Sequence, residues 1–126
     1  MKDKLEIYRY MIDASLEGRT QDFLDCCTED VEYHYHVTTR PLLGKEWVKK
    51  FLLRYQEICA DAELEVLRHA ENGNCLFVEG YEAYTDRRSG KRIAHPFMGI
   101  VEFRDGKVCG WRDYFEMNHS QPDEAA

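Results

Sequence analysis

The sequence predicts an α+β fold, with three N-terminal helices packed on a curved, mixed or antiparallel sheet that encloses one pocket. Three observations carry this expectation. Helix-spaced apolar residues fill the first half of the chain, with one strand-like stretch inserted. After Asp61 the pattern changes to a period of two. Turn-forming clusters at Asn72-Gly73-Asn74, at Arg87 through Lys91 and at Asp105-Gly106 then cut the second half into four consecutive strands. Helices need an apolar face to cover, and a curved sheet supplies one, leaving a cavity beneath the third helix.

Each element has its own signal. Leu5, Tyr8, Ile12 and Leu16 fall on one helical face, and Gly18 stops that helix. Thr20 is placed to cap a short second helix carrying Phe23 and Leu24. Val31 to Val37 is rich in strand formers. The third helix runs from about Lys45 to Cys59, with Trp47, Val48, Phe51, Leu52, Tyr55, Ile58 and Cys59 at helical spacing. The four strands are expected at Ala62 to Ala70, Cys75 to Thr85, Ile93 to Phe103 and Val108 to Met117. Pro96 removes a ladder donor, which predicts a bulge or an unpaired position there. Residues 1–119 are expected to form a single domain and 120–126 a disordered tail.

Composition narrows the function. The chain has 126 residues and a formal charge of -7, with 44% hydrophobic and 13% aromatic residues. That suits one packed domain and disfavours nucleic acid or anionic lipid as partners, since phosphate binding needs clustered Lys and Arg. The basic run Arg87-Arg88 with Lys91-Arg92 straddles a hairpin tip and is expected to be solvated. Five cysteines, an odd number without C-x-x-C spacing, argue against a disulfide framework or a zinc site. Adjacent Cys26 and Cys27 point in different directions and are expected to stay unbonded. No secretory h-region or membrane-length apolar run is present, so a reducing cytoplasm is the expected setting.

Strand parity gathers a candidate site. If Asp113 faces inward, so do Cys109, Trp111, Phe115 and Met117, leaving Asp113 as a carboxyl among apolar neighbours. Glu82 shares a face with Leu76, Val78, Gly80 and Tyr84, and His95 with Phe97, Gly99 and Val101. Two carboxyls in one dry cavity cannot easily both ionise, so one holds its proton as acid while the other acts as base. His95 beside them is a further proton acceptor. Tyr33 and Tyr35 share one strand face, and their hydroxyls suit an oxygen substituent. His34 and His36 share the other, without companions at metal spacing, so no metal is expected. Cys109 is a small core thiol or, less simply, a nucleophile facing the pocket.

The segment Gly106-Lys107-Val108-Cys109-Gly110-Trp111-Arg112-Asp113-Tyr114-Phe115 resembles the last strand of the limonene-1,2-epoxide hydrolases. Their wider relatives are SnoaL-like polyketide cyclases and ketosteroid isomerases of the nuclear transport factor 2-like (NTF2-like) superfamily. The resemblance runs over nearly the whole chain in element order and is close only in this strand. It implies a helical cone over a curved sheet, with Asp113 as the base on a water. By the same resemblance Glu82 matches the proton-donating Asp and Tyr33 a water-holding Tyr. The family's bridging Arg falls on Gly80 and its Asn on Tyr35.

The expected function is therefore acid–base chemistry on a small, mostly apolar oxygenated molecule. The catalytic set is Asp113, Glu82, His95 and Tyr33, and Tyr35, Tyr84, Phe97, Trp111 and Phe115 line the substrate. Asp113 is expected as base and Glu82 or His95 as its proton partner, with no cofactor. Epoxide hydrolysis and carbonyl-adjacent isomerisation or cyclisation are the two chemistries, and loss of the Arg favours the second. The alternative is a non-catalytic ligand-binding or dimerisation module, marked by a pocket closed by its own side chains. The resemblance and an outer patch of Tyr81, Tyr114 and Ile100 both point to a homodimer.

Overall fold

The computed structural model describes residues 3–116. Met117 and the expected tail 120–126 lie outside the described residues. The elements are α1 (Lys4–Leu16), α2 (Thr20–Asp25), β1 (Cys27–His34), β2 (Leu42–Leu43), α3 (Lys45–Ile58), β3 (Cys59–Asn72), β4 (Cys75–Asp86), β5 (Arg92–Arg104) and β6 (Lys107–Tyr114). The strands form one sheet in the order β2-β1-β6-β5-β4-β3. β1 runs parallel to β6 and the other neighbours are antiparallel, so the sheet is mixed. Register shifts in the β3–β4, β5–β6 and β1–β6 pairings bend it into a curved, open surface.

Local chemistry sets the boundaries. Asp3 Oδ1 accepts from the Glu6 N–H at 2.8 Å and Glu6 Oε1 accepts from the Asp3 N–H at 3.1 Å, a capping box that starts α1. Gly18, at φ +77°, turns the chain out of it. Thr20 does not cap α2 as expected, because it is already the first helical residue and its hydroxyl accepts from Gln56 Nε2 instead. That bond ties α2 to α3. Asp105 and Gly106 both take positive φ, the type I′ geometry that matches the twist of a tight hairpin.

Tyr8, Met11, Phe23, Val31, Val48, Leu52, Leu76, Val78, Val101, Val108 and Trp111 form one contiguous core between helices and sheet. Each such side chain stabilises by about 1.5–3 kcal/mol through burial.

Several sequence expectations change here. The first strand covers Cys27–His34 rather than 31–37, because its pairing to β6 stops at His34 opposite Arg112. Trp47 leaves the expected apolar stripe of α3. It is 55% exposed at the solvent side, with Lys50 Nζ 4.5 Å from its ring centre. Pro96 causes no bulge, since it sits in unbroken register opposite Tyr81. The β6 pairing of β5 runs only as far as Met98, so Pro96 is unpaired on that side, the second of the two expected alternatives. Cys109 does not face inward with Trp111. Val108 pairs with Phe103 and Gly110 with Glu102, so Cys109 is the extra residue of a bulge, set beside Arg104, Glu102 and Asp30. On the outer face Tyr81 and Tyr114 are exposed as expected, but Ile100 is half-buried between its strand neighbours and Met98 is exposed instead.

Candidate active site

A cavity of about 260 Å³ opens between the helices and the inner sheet face. Asp113, Glu82, His95 and Tyr33 all line it, together with Tyr35, Tyr84, Trp111 and Phe115. Unbroken β4–β5 register places Glu82 directly opposite His95, and Gly99 stands opposite Asp113 on the next pair. Three titratable side chains from β4, β5 and β6 thus share one chamber whose remaining wall is largely aromatic. Tyr35 and Phe51 stack at 4.8 Å, and Trp111 is held by Tyr8, Phe23 and Tyr33 with ring centres 5.2–5.5 Å away.

Phe97, expected in the lining, is absent from it. Its ring occupies the space over Gly80, where a Cβ would stand 2.6 Å from Phe97 Cε1 and 2.5 Å from the Glu65 carbonyl oxygen. No longer side chain fits at position 80, where Gly80 accommodates the Phe97 ring.

The acids differ in their surroundings. Trp111 Nε1–H donates to Asp113 Oδ2 at 3.2 Å, while Asp113 Oδ1 is buried with no hydrogen-bond partner. Burial, then the charge of Glu82, pushes Asp113 up to about 8, against the smaller pull of the indole. At neutral pH its carboxyl holds its proton. Burial raises Glu82 too, but His95 and the Tyr55 hydroxyl pull it back. Tyr55 donates to Glu82 Oε2 at 3.2 Å, and His95 Nε2 lies 3.5 Å from Oε1. Glu82 thus has two neighbours that favour its charged form, the Tyr55 hydroxyl and the His95 ring, whereas Asp113 has only the Trp111 N–H.

His95 is 3% exposed and stacks on Phe115 at 4.4 Å. Its Nδ1 lies 3.0 Å from the Pro96 carbonyl, which can only accept. Nδ1 therefore carries a proton, and Nε2, the nitrogen turned to Glu82, favours the carboxylate when it too is protonated.

Two further residues at the cavity come from helices, where the sequence pattern reads only as core. Tyr8 of α1 lines the cavity with its hydroxyl buried and unpartnered, held neutral by burial and by both acids. Tyr55 of α3 holds Glu82. A helical apolar stripe does not distinguish a packed phenol from one that borders a cavity, though a Tyr within such a stripe is the available hint. Cys59 also lines the cavity, and burial pushes its thiol up to about 11, away from thiolate chemistry. All five cysteines are free.

His34 and His36 do not share a face. His34 turns to Glu32, with Nε2 to Oε2 at 2.9 Å, while His36 packs edge-on against Phe115 beyond the end of β1. Among the described residues no group of three or more His, Cys, Asp and Glu is placed to hold a metal ion. Among them no helix is long and apolar enough to cross a membrane.

Residues 8–111 match the SnoaL-like domain family, and the chain belongs to that family. Its fold is shared with an LEH-like epoxide hydrolase from M. tuberculosis, at 20% identity and TM-score 0.79, covering 91% of this chain and 84% of the other. A Catenulispora acidiphila protein with a ketosteroid isomerase-like fold superposes at TM-score 0.83 and 14% identity, covering 91% and 88%. The epoxide hydrolase/cyclase-like enzyme SalBIII of salinomycin pyran-ring formation superposes at 0.80 and 15% identity, covering 90% and 91%. The shared architecture is the NTF2-like one.

Proposed function

We propose that the chain is an acid–base enzyme that moves a proton next to a carbonyl in a small, mostly apolar molecule, as an isomerase or cyclase. The observation that carries this reading is the pair of buried, unpartnered polar atoms bordering the cavity, Tyr8 Oη and Asp113 Oδ1. Buried polar atoms without partners cost stability unless a ligand satisfies them. With Oδ2 taken by the Trp111 indole, the proton of Asp113 belongs on Oδ1. Two neutral donors are then available to one substrate oxygen, the arrangement of an oxyanion hole.

Glu82 is the base of this reading. It removes a proton from the carbon beside the carbonyl, and the electron pair moves onto the carbonyl oxygen. Tyr8 and Asp113 stabilise that oxygen. Glu82 then returns the proton at another position, or the enolate carbon adds to a second carbonyl of the same molecule, whose oxygen takes the proton back from Glu82. Asp113 thus takes the acid role and Glu82 the base role, the reverse of the sequence expectation. Epoxide hydrolysis is the weaker alternative, because Gly80 lies beneath Phe97 and Tyr35 stands where the hydrolases carry Asn. The open cavity favours an enzyme over a binding or dimerisation module, since Trp111 and Tyr84 border the space without filling it.

The test is deuterium exchange into small cyclic enones, followed by NMR in D2O, with alicyclic epoxides as the competing panel. Glu82→Gln is expected to slow exchange by about 10²–10⁴-fold. Asp113→Asn keeps an N–H donor and is expected to cost only on the order of 10-fold. Opening of the epoxides in place of enone exchange, or a Glu82→Gln variant as active as the parent chain, contradicts the proposal. The same reading includes a homodimer through exposed Tyr81, Met98 and Tyr114. Light scattering that finds only monomer at micromolar concentration removes that part.

A further inference from the structure

The loop after β1 grips the end of β6. Strand pairing between them stops at His34 opposite Arg112. Beyond it, Val37 N–H donates to the Asp113 carbonyl at 3.0 Å, and His36 Nε2 lies 2.7 Å from the Phe115 carbonyl. His36 is only 5% exposed, and its neighbours fix its tautomer. Nδ1 accepts the Thr38 N–H at 3.2 Å and has the Thr38 hydroxyl 2.6 Å away. The ring proton therefore sits on Nε2 and is donated to the Phe115 carbonyl. The Phe115 ring is then fixed on two sides. It meets His36 edge-on at 4.5 Å and lies flat on His95 at 4.4 Å with 16° between the planes.

We propose that His36 is a positioning residue for the base Glu82 and its neighbour His95: through Phe115 it sets the plane of the His95 ring and so the direction of Nε2 toward Glu82. This rests on the reading of Glu82 as the base given above. The logic is mechanical. A ring at 4.4 Å and nearly parallel leaves the His95 imidazole little freedom about its last torsion. The Pro96 carbonyl holds one ring nitrogen, and Phe115 holds the face. The 3.5 Å separation of Nε2 from Glu82 Oε1 depends on both. His36 touches neither reacting group, and its contribution is to keep Phe115 where the last strand pairing no longer does.

The experiment needs no turnover. Long-range 1H–15N spectra of the full chain report which nitrogen of His95 carries the proton. In the parent chain the His95 ring is expected in one orientation, with a proton fixed on Nδ1 toward the Pro96 carbonyl and a distinct Nε2 shift. His36→Ala is expected to draw its two nitrogen shifts toward averaged positions, and His36→Gln, which keeps an N–H donor, to restore them. Phe115→Leu leaves His36 in place and removes the stacked ring, so it should reproduce the His36→Ala spectrum and carries the test if that variant does not fold. An unchanged His95 spectrum in folded His36→Ala or in Phe115→Leu overturns the proposal, as does a His36→Gln spectrum as averaged as that of His36→Ala. The enone assay separates this result from the reading beneath it. Inactivity of the parent chain alongside the expected His95 spectra sinks the enzyme and keeps the positioning role.

Discussion

Two glycines on the inner sheet face, Gly80 and Gly99, leave the same kind of notch, and the chain fills the two with opposite chemistry. In each case the filler is the residue directly across the strand pair: Phe97 opposite Gly80, and Asp113 opposite Gly99. A Cβ at Gly80 would strike the Phe97 ring at 2.6 Å and a backbone oxygen at 2.5 Å. A Cβ at Gly99 would strike Asp113 Oδ1 at 2.9 Å. The first notch receives apolar surface and closes the sheet. The second receives a carboxyl whose burial costs stability and whose hydrogen-bond partner is the Trp111 indole. Under the proposed function similar notches serve stability at one strand pair and chemistry at the next, and substitution can separate the two.

The largest expected effect lies at the apolar notch. Phe97→Ala removes a buried ring and exposes the bare Gly80 backbone, with a loss of about 4 kcal/mol in urea unfolding. Gly80→Ala attacks the same contact from the other side. The backbone oxygen at 2.5 Å cannot step aside cheaply, so a loss of about 3 kcal/mol is expected. If Gly80→Ala is tolerated within a few tenths of a kcal/mol, the notch is not filled as described and the comparison fails.

At the other notch the effect of Asp113→Asn has the opposite sign. Burial raises the folded carboxyl to about 8 from the ordinary aspartate value of 3.8, so between those values the folded state holds a proton that the unfolded state has lost. Stability contributed by that proton is fully present below the unfolded pKa and is lost as pH rises through the folded one. The slope is at most about 1.4 kcal/mol per pH unit. Asn resembles the protonated acid at every pH. The variant is therefore expected to match the parent chain near pH 4 and to gain on it steadily as pH rises to 8. Denaturant midpoints measured across that range check it, and parallel profiles for the two proteins would show that Asp113 ionises freely.

How far the sequence could show this follows from the same strands. The change of period after Asp61 locates the strands. Unbroken alternation in β4 and β5 places Glu82 and His95 on the inner face, because that pairing has no register break from Cys75 to Thr85. Parity misplaces Cys109, because one extra residue in β6 shifts every neighbour on its far side and carries no composition signal. The parallel junction of β1 with β6 joins the two ends of the chain and leaves no local pattern. Phe97 shows the limit of parity itself. The pattern tells which face a ring occupies, but the neighbouring glycine decides whether it packs against backbone or borders space.

The smallest stability effect is expected at Gly99, and it tests the comparison most closely. Gly99 needs no positive φ, so Ala fits the backbone there. What Ala meets at 2.9 Å is the end of a side chain, which can rotate away, rather than a fixed carbonyl. The loss of stability is therefore expected to stay under about 1 kcal/mol. The carboxyl cannot rotate without cost to the site. Moving Oδ1 lengthens or breaks the bond from Trp111 Nε1–H to Oδ2 and turns the acid away from its place in the cavity wall. A displacement near 1 Å in a positioned group costs on the order of 10²-fold in rate. Gly99→Ala should then retain the urea midpoint of the parent chain, lose enone exchange to that extent, and change the carboxyl 13C titration of Asp113. Gly80→Ala should do the reverse, unfolding more easily while the Asp113 titration stays put. If both variants lose stability equally and neither moves the Asp113 titration, the two notches are equivalent packing sites, and Asp113 is a buried acid with no chemical task.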